Sequence, residues 1–140
     1  MRTIELYEHR AKYYETDQMG IIHHSNYIRW MEEARLDFME KIGCPYKKME
    51  QEGIICPVLS VHCQYRSMVY FDDIVKIAVK IKKYNGIKLK LVYEMFNETT
   101  GQTCTVGESE HCFLDSNNRC ISLKKVSPAI DSVFCAYMEE

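Results

Sequence analysis

Eight consecutive residues hold an acid, a glycine and two histidines: Asp17-Gln18-Met19-Gly20-Ile21-Ile22-His23-His24. A carboxylate and an imidazole are groups that move protons or attack carbonyl carbon near neutral pH. The residues after them have a helical pattern. Tyr27, Trp30, Met31, Ala34, Phe38 and Ile42 recur at three- and four-residue spacing and so share one face. Arg29 with Glu33, and Asp37 with Lys41, are i,i+4 pairs suited to a wetter face. Ser25 or Asn26 suits the N-cap, and Ile42-Gly43 suits the stop. The acid and the histidines therefore sit on a loop that runs into a helix N-terminus. There the first-turn N–H groups lack intrahelical partners, and the dipole favours developing negative charge. An acid beside donors for an oxyanion is equipment for acyl transfer. Taken alone, Asp17 serves equally well as a turn aspartate capping local N–H groups.

The elements that must hold this loop are mostly extended. Thr3 to Tyr14 reads as a first strand, with His9 solvated on it and without a role. Pro45 to Glu52 reads as a short helix ended by Gly53, and Ile54 to Tyr65 as extended again. From Ile74 to Tyr84 the chain alternates, with Val75, Ile77, Val79 and Ile81 on one side. Turns at Asn85-Gly86, Thr100-Gly101 and Ser116-Asn117-Asn118 divide the rest of the chain. The expected result is an antiparallel meander of strands at about 74–84, 87–97, 102–115 and 119–126, with a short helix from Ser127 to Met138. No linker or repeat interrupts the chain, so residues 1–140 read as one domain.

The totals exclude several classes. A net charge of −2 gives no electrostatic case for nucleic acid. No apolar run approaches the ~18 residues of a membrane span, and no basic stretch followed by an apolar one opens the chain. The seven cysteines form no CxxC pair; Cys104, Cys112 and Cys120 are spaced as on successive strands. Reduced thiols in a cytoplasmic protein, with no metal site, are the expectation. Gly107-Glu108-Ser109-Glu110-His111 lacks the second glycine of a nucleophile elbow, and no phosphate-binding glycine loop occurs.

The string Asp17-x-x-Gly20-x-x-x-His24-x-Asn26-Tyr27, continued by Trp30-x-x-Glu33-x-Arg35, resembles hotdog-fold acyl-CoA thioesterases. The branch it looks most like is that of 4-hydroxybenzoyl-CoA thioesterase and its Tol-Pal-associated relatives. The resemblance implies an α+β hotdog fold, an antiparallel sheet wrapped around a long central helix. It implies hydrolysis of an acyl-CoA thioester to free acid and coenzyme A, with no cofactor, since coenzyme A belongs to the substrate. Asp17 would be general base or nucleophile, with His24 supporting it and offering its N–H to the oxyanion. Gly20 would let the thioester approach the backbone, with Tyr27 beside it. Arg66 and Ser67, on the segment that crosses from Tyr65 to Asp73, would touch coenzyme A.

Other positions carry two readings. Lys76, Lys80, Lys82, Lys88 and Lys90 fall on the polar side of two strands. Lys88 and Lys90 are candidates for the coenzyme A phosphates, though a solvated sheet face explains them as well. Gly107 would permit close packing, with His111 a packing or surface residue. Glu33 is a reserve acid, because another hotdog branch carries its acid on the central helix, and it is also a natural partner for Arg29. Three positions depart from the family pattern: His23 replaces an aromatic residue, Met68 a proline and Asp72 a glycine. The resemblance further implies a homodimer or homotetramer with sheets paired edge to edge and sites at the subunit interface. The rival readings are a hydratase or dehydratase on the same fold, and a non-catalytic acyl-CoA-binding protein.

Overall fold

In a computed structural model, which describes residues 4–138, one antiparallel sheet curls around one long helix. The strands are β1 (Tyr7–Arg10), β2 (Val58–Tyr65), β3 (Ile74–Tyr84), β4 (Lys88–Asn97) and β5 (Gln102–Cys112). The sheet order is β1-β3-β4-β5-β2, which leaves β1 and β2 at the edges. The helices are α1 (Ser25–Lys41), α2 (Tyr46–Gln51), α3 (Leu123–Val126) and α4 (Pro128–Tyr137). This is the α+β hotdog arrangement that the resemblance implied.

The α1 stripe does what its spacing requires. Tyr27, Trp30, Met31, Ala34 and Phe38 are buried against the inner face of the sheet, where Ile77, Leu91, Tyr93 and Met95 meet them. Gly107 on β5 makes the closest approach possible: a Cβ there would stand 3.3 Å from the Met31 Sδ and Cε and 2.9 Å from the His62 carbonyl oxygen. On the wetter side, Lys41 pairs with Asp37 at 2.7 Å.

Three extended segments differ from their sequence readings. The first strand covers only Tyr7–Arg10, and the Thr3 end of that expectation lies outside the described residues. After Ala11 the chain coils into a 3-10 turn, Tyr13–Glu15, because the Glu15 carboxylate accepts the Lys12 N–H at 2.7 Å. β2 begins at Val58 instead of Ile54, after Pro57, which has no N–H for a ladder. The fourth meander strand, 119–126, is absent. A single bridge joins Leu114 to Cys120, and Leu123–Val126 is helical. The Leu123 N–H donates to the Gly86 carbonyl at 2.8 Å. Burial of Leu123, Ile130 and Phe134 under Tyr84 and Phe113 then turns the tail into a plug at that end of the sheet. Tyr84 donates to Asp131 Oδ1 at 2.6 Å and locks α4 there.

Candidate active site

The loop before α1 is a tight hairpin. The Asp17 N–H donates to the Ile21 carbonyl at 2.7 Å and the Gly20 N–H to the Asp17 carbonyl at 3.0 Å, while Thr16 bridges Ile22. Gly20 closes the turn at φ +83°, a conformation that L side chains rarely adopt, and the space on its Cβ side is open. Asp17 Oδ1 accepts the Met19 N–H at 2.8 Å, so the turn reading of this residue is correct as far as it goes. Oδ2 takes no part in that bond. The hairpin is stitched to the crossing segment by the Ile22 N–H on the Val69 carbonyl at 2.8 Å and by a bridge from Ile21 to Tyr70.

The crossing segment ends at Asp72, which adopts φ 71° where the resemblance leads one to expect glycine. Aspartate tolerates this region better than most residues, and Arg10 Nη1 holds its carboxylate at 3.1 Å.

The helix start differs from expectation. Ser25 is already helical and His24 is the cap. The His23 ring takes part in capping: its Nδ1 accepts the Ser25 N–H at 3.2 Å and lies 2.9 Å from Ser25 Oγ. The Asn26 N–H goes to the His23 carbonyl at 3.0 Å and the Tyr27 N–H to the His24 carbonyl at 3.3 Å. Three of the first-turn donors are thus consumed, and the His24 N–H is the one these bonds leave over. The free donors that the sequence placed along a whole helix turn are thus reduced to one amide among these four.

A cleft of about 340 Å³ opens here, lined by Asp17, Ile21, Ile22, His24, Tyr27, Tyr65, Arg66, Ser67 and Met68. Its walls are aromatic. Tyr65 stands 5.0 Å from Tyr27 and 6.4 Å, edge on, from the exposed His24 ring, which stacks on His23 at 4.2 Å. The Tyr65 hydroxyl donates to the His24 carbonyl at 3.4 Å. Burial, followed by the nearby Cys104, Tyr65 and Asp17, pushes the Tyr27 phenol well above its ordinary value. It therefore stays a neutral O–H beside the Asp17 carboxylate. Ser67 Oγ donates to the Thr103 carbonyl at 3.2 Å, and the Arg66 and Ser67 N–H groups both reach the Cys104 carbonyl.

Five of the sequence-derived site residues therefore line one cleft: Asp17, His24, Tyr27, Arg66 and Ser67. Gly20 shapes the turn and does not line the cleft. Lys88 and Lys90 do not join them within the chain. They border a separate groove at the β3–β4 hairpin, with Lys82, Lys83 and Glu110. Lys88 is registered with Cys112, at the opposite end of β5 from the Cys104 that holds Arg66. Eight residues of strand put about 26 Å between those two levels. Lys90 is also occupied, 3.3 Å from Glu108 and 3.9 Å from Glu110.

Two further residues fall outside their sequence readings. His9 is buried, not solvated, and Glu33 faces His9 Nδ1 at 3.4 Å and the Tyr7 hydroxyl at 3.2 Å, away from the cleft. Sequence reasoning missed Tyr65 as a site residue. Its signal was its place at the end of β2, immediately before the Arg66 and Ser67 already singled out.

A family model for the thioesterase-like superfamily matches residues 12–136. The chain belongs to the thioesterase-like superfamily. Thioester hydrolysis is its class of activity by that membership. YneP of Bacillus subtilis strain 168, described as a candidate acyl-CoA thioesterase, is 31% identical over 122 residues, 86% of this chain and 88% of that one. The 1,4-dihydroxy-2-naphthoyl-CoA hydrolase of Thermosynechococcus vestitus is 20% identical over 114 residues, 81% of this chain and 77% of that one. Among solved structures, the DHNA-CoA thioesterase of Staphylococcus aureus is 34% identical with a TM-score of 0.89, covering 94% of this chain and 89% of that chain. In this superfamily member no helix among the described residues is long and apolar enough to cross a membrane.

Proposed function

We propose that the protein hydrolyses an acyl-CoA thioester with Asp17 as its catalytic carboxylate, and that the acyl group is aromatic. The observation that carries the reading is the single cleft that gathers Asp17, His24 at the α1 start and the rings of Tyr27 and Tyr65. Asp17 Oδ2 takes a proton from water as that water attacks the thioester carbonyl. The His24 N–H receives the oxyanion that forms. Collapse of the tetrahedral intermediate breaks the carbon–sulfur bond. The proton that Asp17 took from water passes to the departing thiolate, with the His24 imidazole at the cleft lip as its relay, which returns both side chains to their starting state. Arg66 and Ser67 hold the pantetheine side. The aromatic walls suit stacking of an aryl group, and the dihydroxynaphthoyl-CoA substrates in the relatives' names point the same way. The narrower likeness to the 4-hydroxybenzoyl-CoA branch points to a smaller ring in the same cleft.

A second copy completes the site in this reading. Among the described residues the outer edge of β2 has no partner strand, and β2 presents Val58, Leu59, Val61 and Tyr65 to solvent, with Tyr14, Met19, Met68 and Phe71 exposed as well. Edge pairing and apolar cover are what a dimer supplies.

The test is turnover of a panel of aryl- and alkyl-CoA thioesters by wild type and Asp17→Asn. Free coenzyme A is read by mass spectrometry, because the seven cysteines would react with a thiol dye. The variant is expected to lose at least about 100-fold in kcat while remaining folded, and aryl substrates are expected to lead the panel. Hydrolysis that survives Asp17→Asn overturns the assignment. A single turnover in heavy-oxygen water tests the role of the carboxylate in one direction: label in the carboxylate of Asp17 would make it a nucleophile whose anhydride water opens at the aspartyl carbon.

A further inference from the structure

Two residues before Asp17 stands a buried glutamate that the mechanism does not use. Glu15 is 6% exposed, and its carboxylate accepts three N–H groups, from β1, from α1 and from the residue that caps its own turn. Oε1 takes His9 Nε2 from β1 at 2.9 Å and the Lys12 N–H at 2.7 Å, and Oε2 takes the Trp30 indole N–H from α1 at 2.7 Å. Its main chain is equally engaged. The Glu15 carbonyl accepts Asn26 Nδ2 at 2.8 Å and the His23 N–H at 2.9 Å. His9 is 8% exposed, stacks on Trp30 with ring centroids 4.5 Å apart, and turns its second nitrogen to Glu33.

These bonds converge on the two ends of one loop. Glu15 stands at the hairpin's outgoing end and His23 at its return, and the loop between them carries Asp17. The carboxylate fixes the outgoing end to β1 and α1. The carbonyl fixes the return end and the side chain of Asn26 in the first turn of α1. Resting on the catalytic reading of Asp17, we propose that Glu15 is a positioning residue, with His9 and Trp30 as its anchors. It sets the distance between the Asp17 carboxylate and the His24 N–H. A buried carboxylate is retained only where its donors fully satisfy it. Burial pushes its pKa up, but the bonds from His9, Trp30 and Lys12 outweigh that and hold it below the usual carboxylate range. The side chain is therefore an anion over the working range and a fixed point for three donors.

Glutamine has the same shape but presents an N–H₂ to at least one of those donors, so Glu15→Gln loosens the clamp without emptying the space. Trp30→Phe keeps ring packing and removes one donor only. In the full-length protein, Glu15→Gln is expected to lower kcat at least about 10-fold, as small misplacements do, with KM for the best substrate of the panel unchanged within about twofold. Trp30→Phe is expected to lower kcat less, and the double variant to match Glu15→Gln within about twofold, because both changes act on one contact. Amide exchange should quicken across residues 16–24 and stay unchanged in β3, β4 and β5.

A folded Glu15→Gln protein with kcat within about twofold of wild type overturns the proposal. So does exchange that quickens equally across the sheet, which marks Glu15 as general support. A fall in kcat with no change in loop exchange overturns positioning in favour of a direct chemical role. Asp17→Asn in the same assay keeps the two ideas apart. Turnover that survives it removes the catalytic reading, whereas its loss beside an unaffected Glu15→Gln removes only the clamp.

Discussion

His111 shows how much a single side chain can be asked to carry. It is 0% exposed on β5, its Nε2 lies 2.7 Å from Ser109 Oγ, and Ser109 Oγ lies 2.7 Å from the Tyr93 hydroxyl, which Arg35 Nη1 reaches from α1 at 3.5 Å. Burial first, then the Arg35 charge, lowers its pKa from 6.5 to about 4, against a weaker upward pull from the Pro57 backbone. The folded protein keeps the ring neutral where the unfolded chain binds a proton. Stability is therefore expected to fall as pH drops from about 6.5 to about 4, by roughly 3 kcal/mol in all from this group. Urea midpoints at pH 7 and pH 4.5 should separate more for wild type than for His111→Gln. Equal separation would move the acid sensitivity to other groups.

At the level of the elements, Gly107 is the tightest point in the sheet. Gly107→Ala places a methyl group 2.9 Å from the His62 carbonyl, which belongs to β2 and cannot rotate away. The substitution is expected to cost about 1–3 kcal/mol, read as a lowered urea midpoint, and to displace β2 from β5 before it disturbs α1. The elements that were legible in the sequence are those with an unbroken period. α1 and the alternating β3 and β4 announce themselves through residue spacing. Those that were not legible depend on a distant partner. Tyr13–Glu15 curls because of the Lys12 N–H, and Leu123–Val126 coils because Leu123 and Phe134 find cover under Tyr84. The placing of Asp17 and His24 in one cleft was legible because they lie in one short run, with Gly20 turning the chain between them. The Glu15 clamp was not, since its donors come from positions 9, 12 and 30, and His9 in isolation looks like any strand histidine.

For the whole molecule, the β2 edge is where the proposed dimer would pair. Lysine on an edge strand is the common device that prevents edge pairing. Val61→Lys is expected to shift the proposed dimer toward monomer in sedimentation experiments and to lower turnover with it, while leaving the α1 core intact. A variant that remains the same size as wild type would place the contact elsewhere. The sheet order was only half legible. Adjacent pairing of β3, β4 and β5 comes from short turns, but nothing local tells that β2 crosses to the far side and pairs with β5. The separation of Lys88 and Lys90 from the cleft has the same origin. Alternation puts them on a face, and only the register puts them at the wrong end of it.

That crossing has a consequence for how the chain comes into being. β2 is synthesised early, yet its only ladder among the described residues is with Gln102–Cys112, the last of the described strands to be made. At typical translation rates, the segment from Val58 to Tyr65 must wait for seconds without a partner on either side. It contains Val58, Leu59, Val61 and Cys63, a β-prone apolar stretch. The period before β5 emerges is thus when this protein is most exposed to aggregation, and a chaperone that holds short extended segments would act on β2 first.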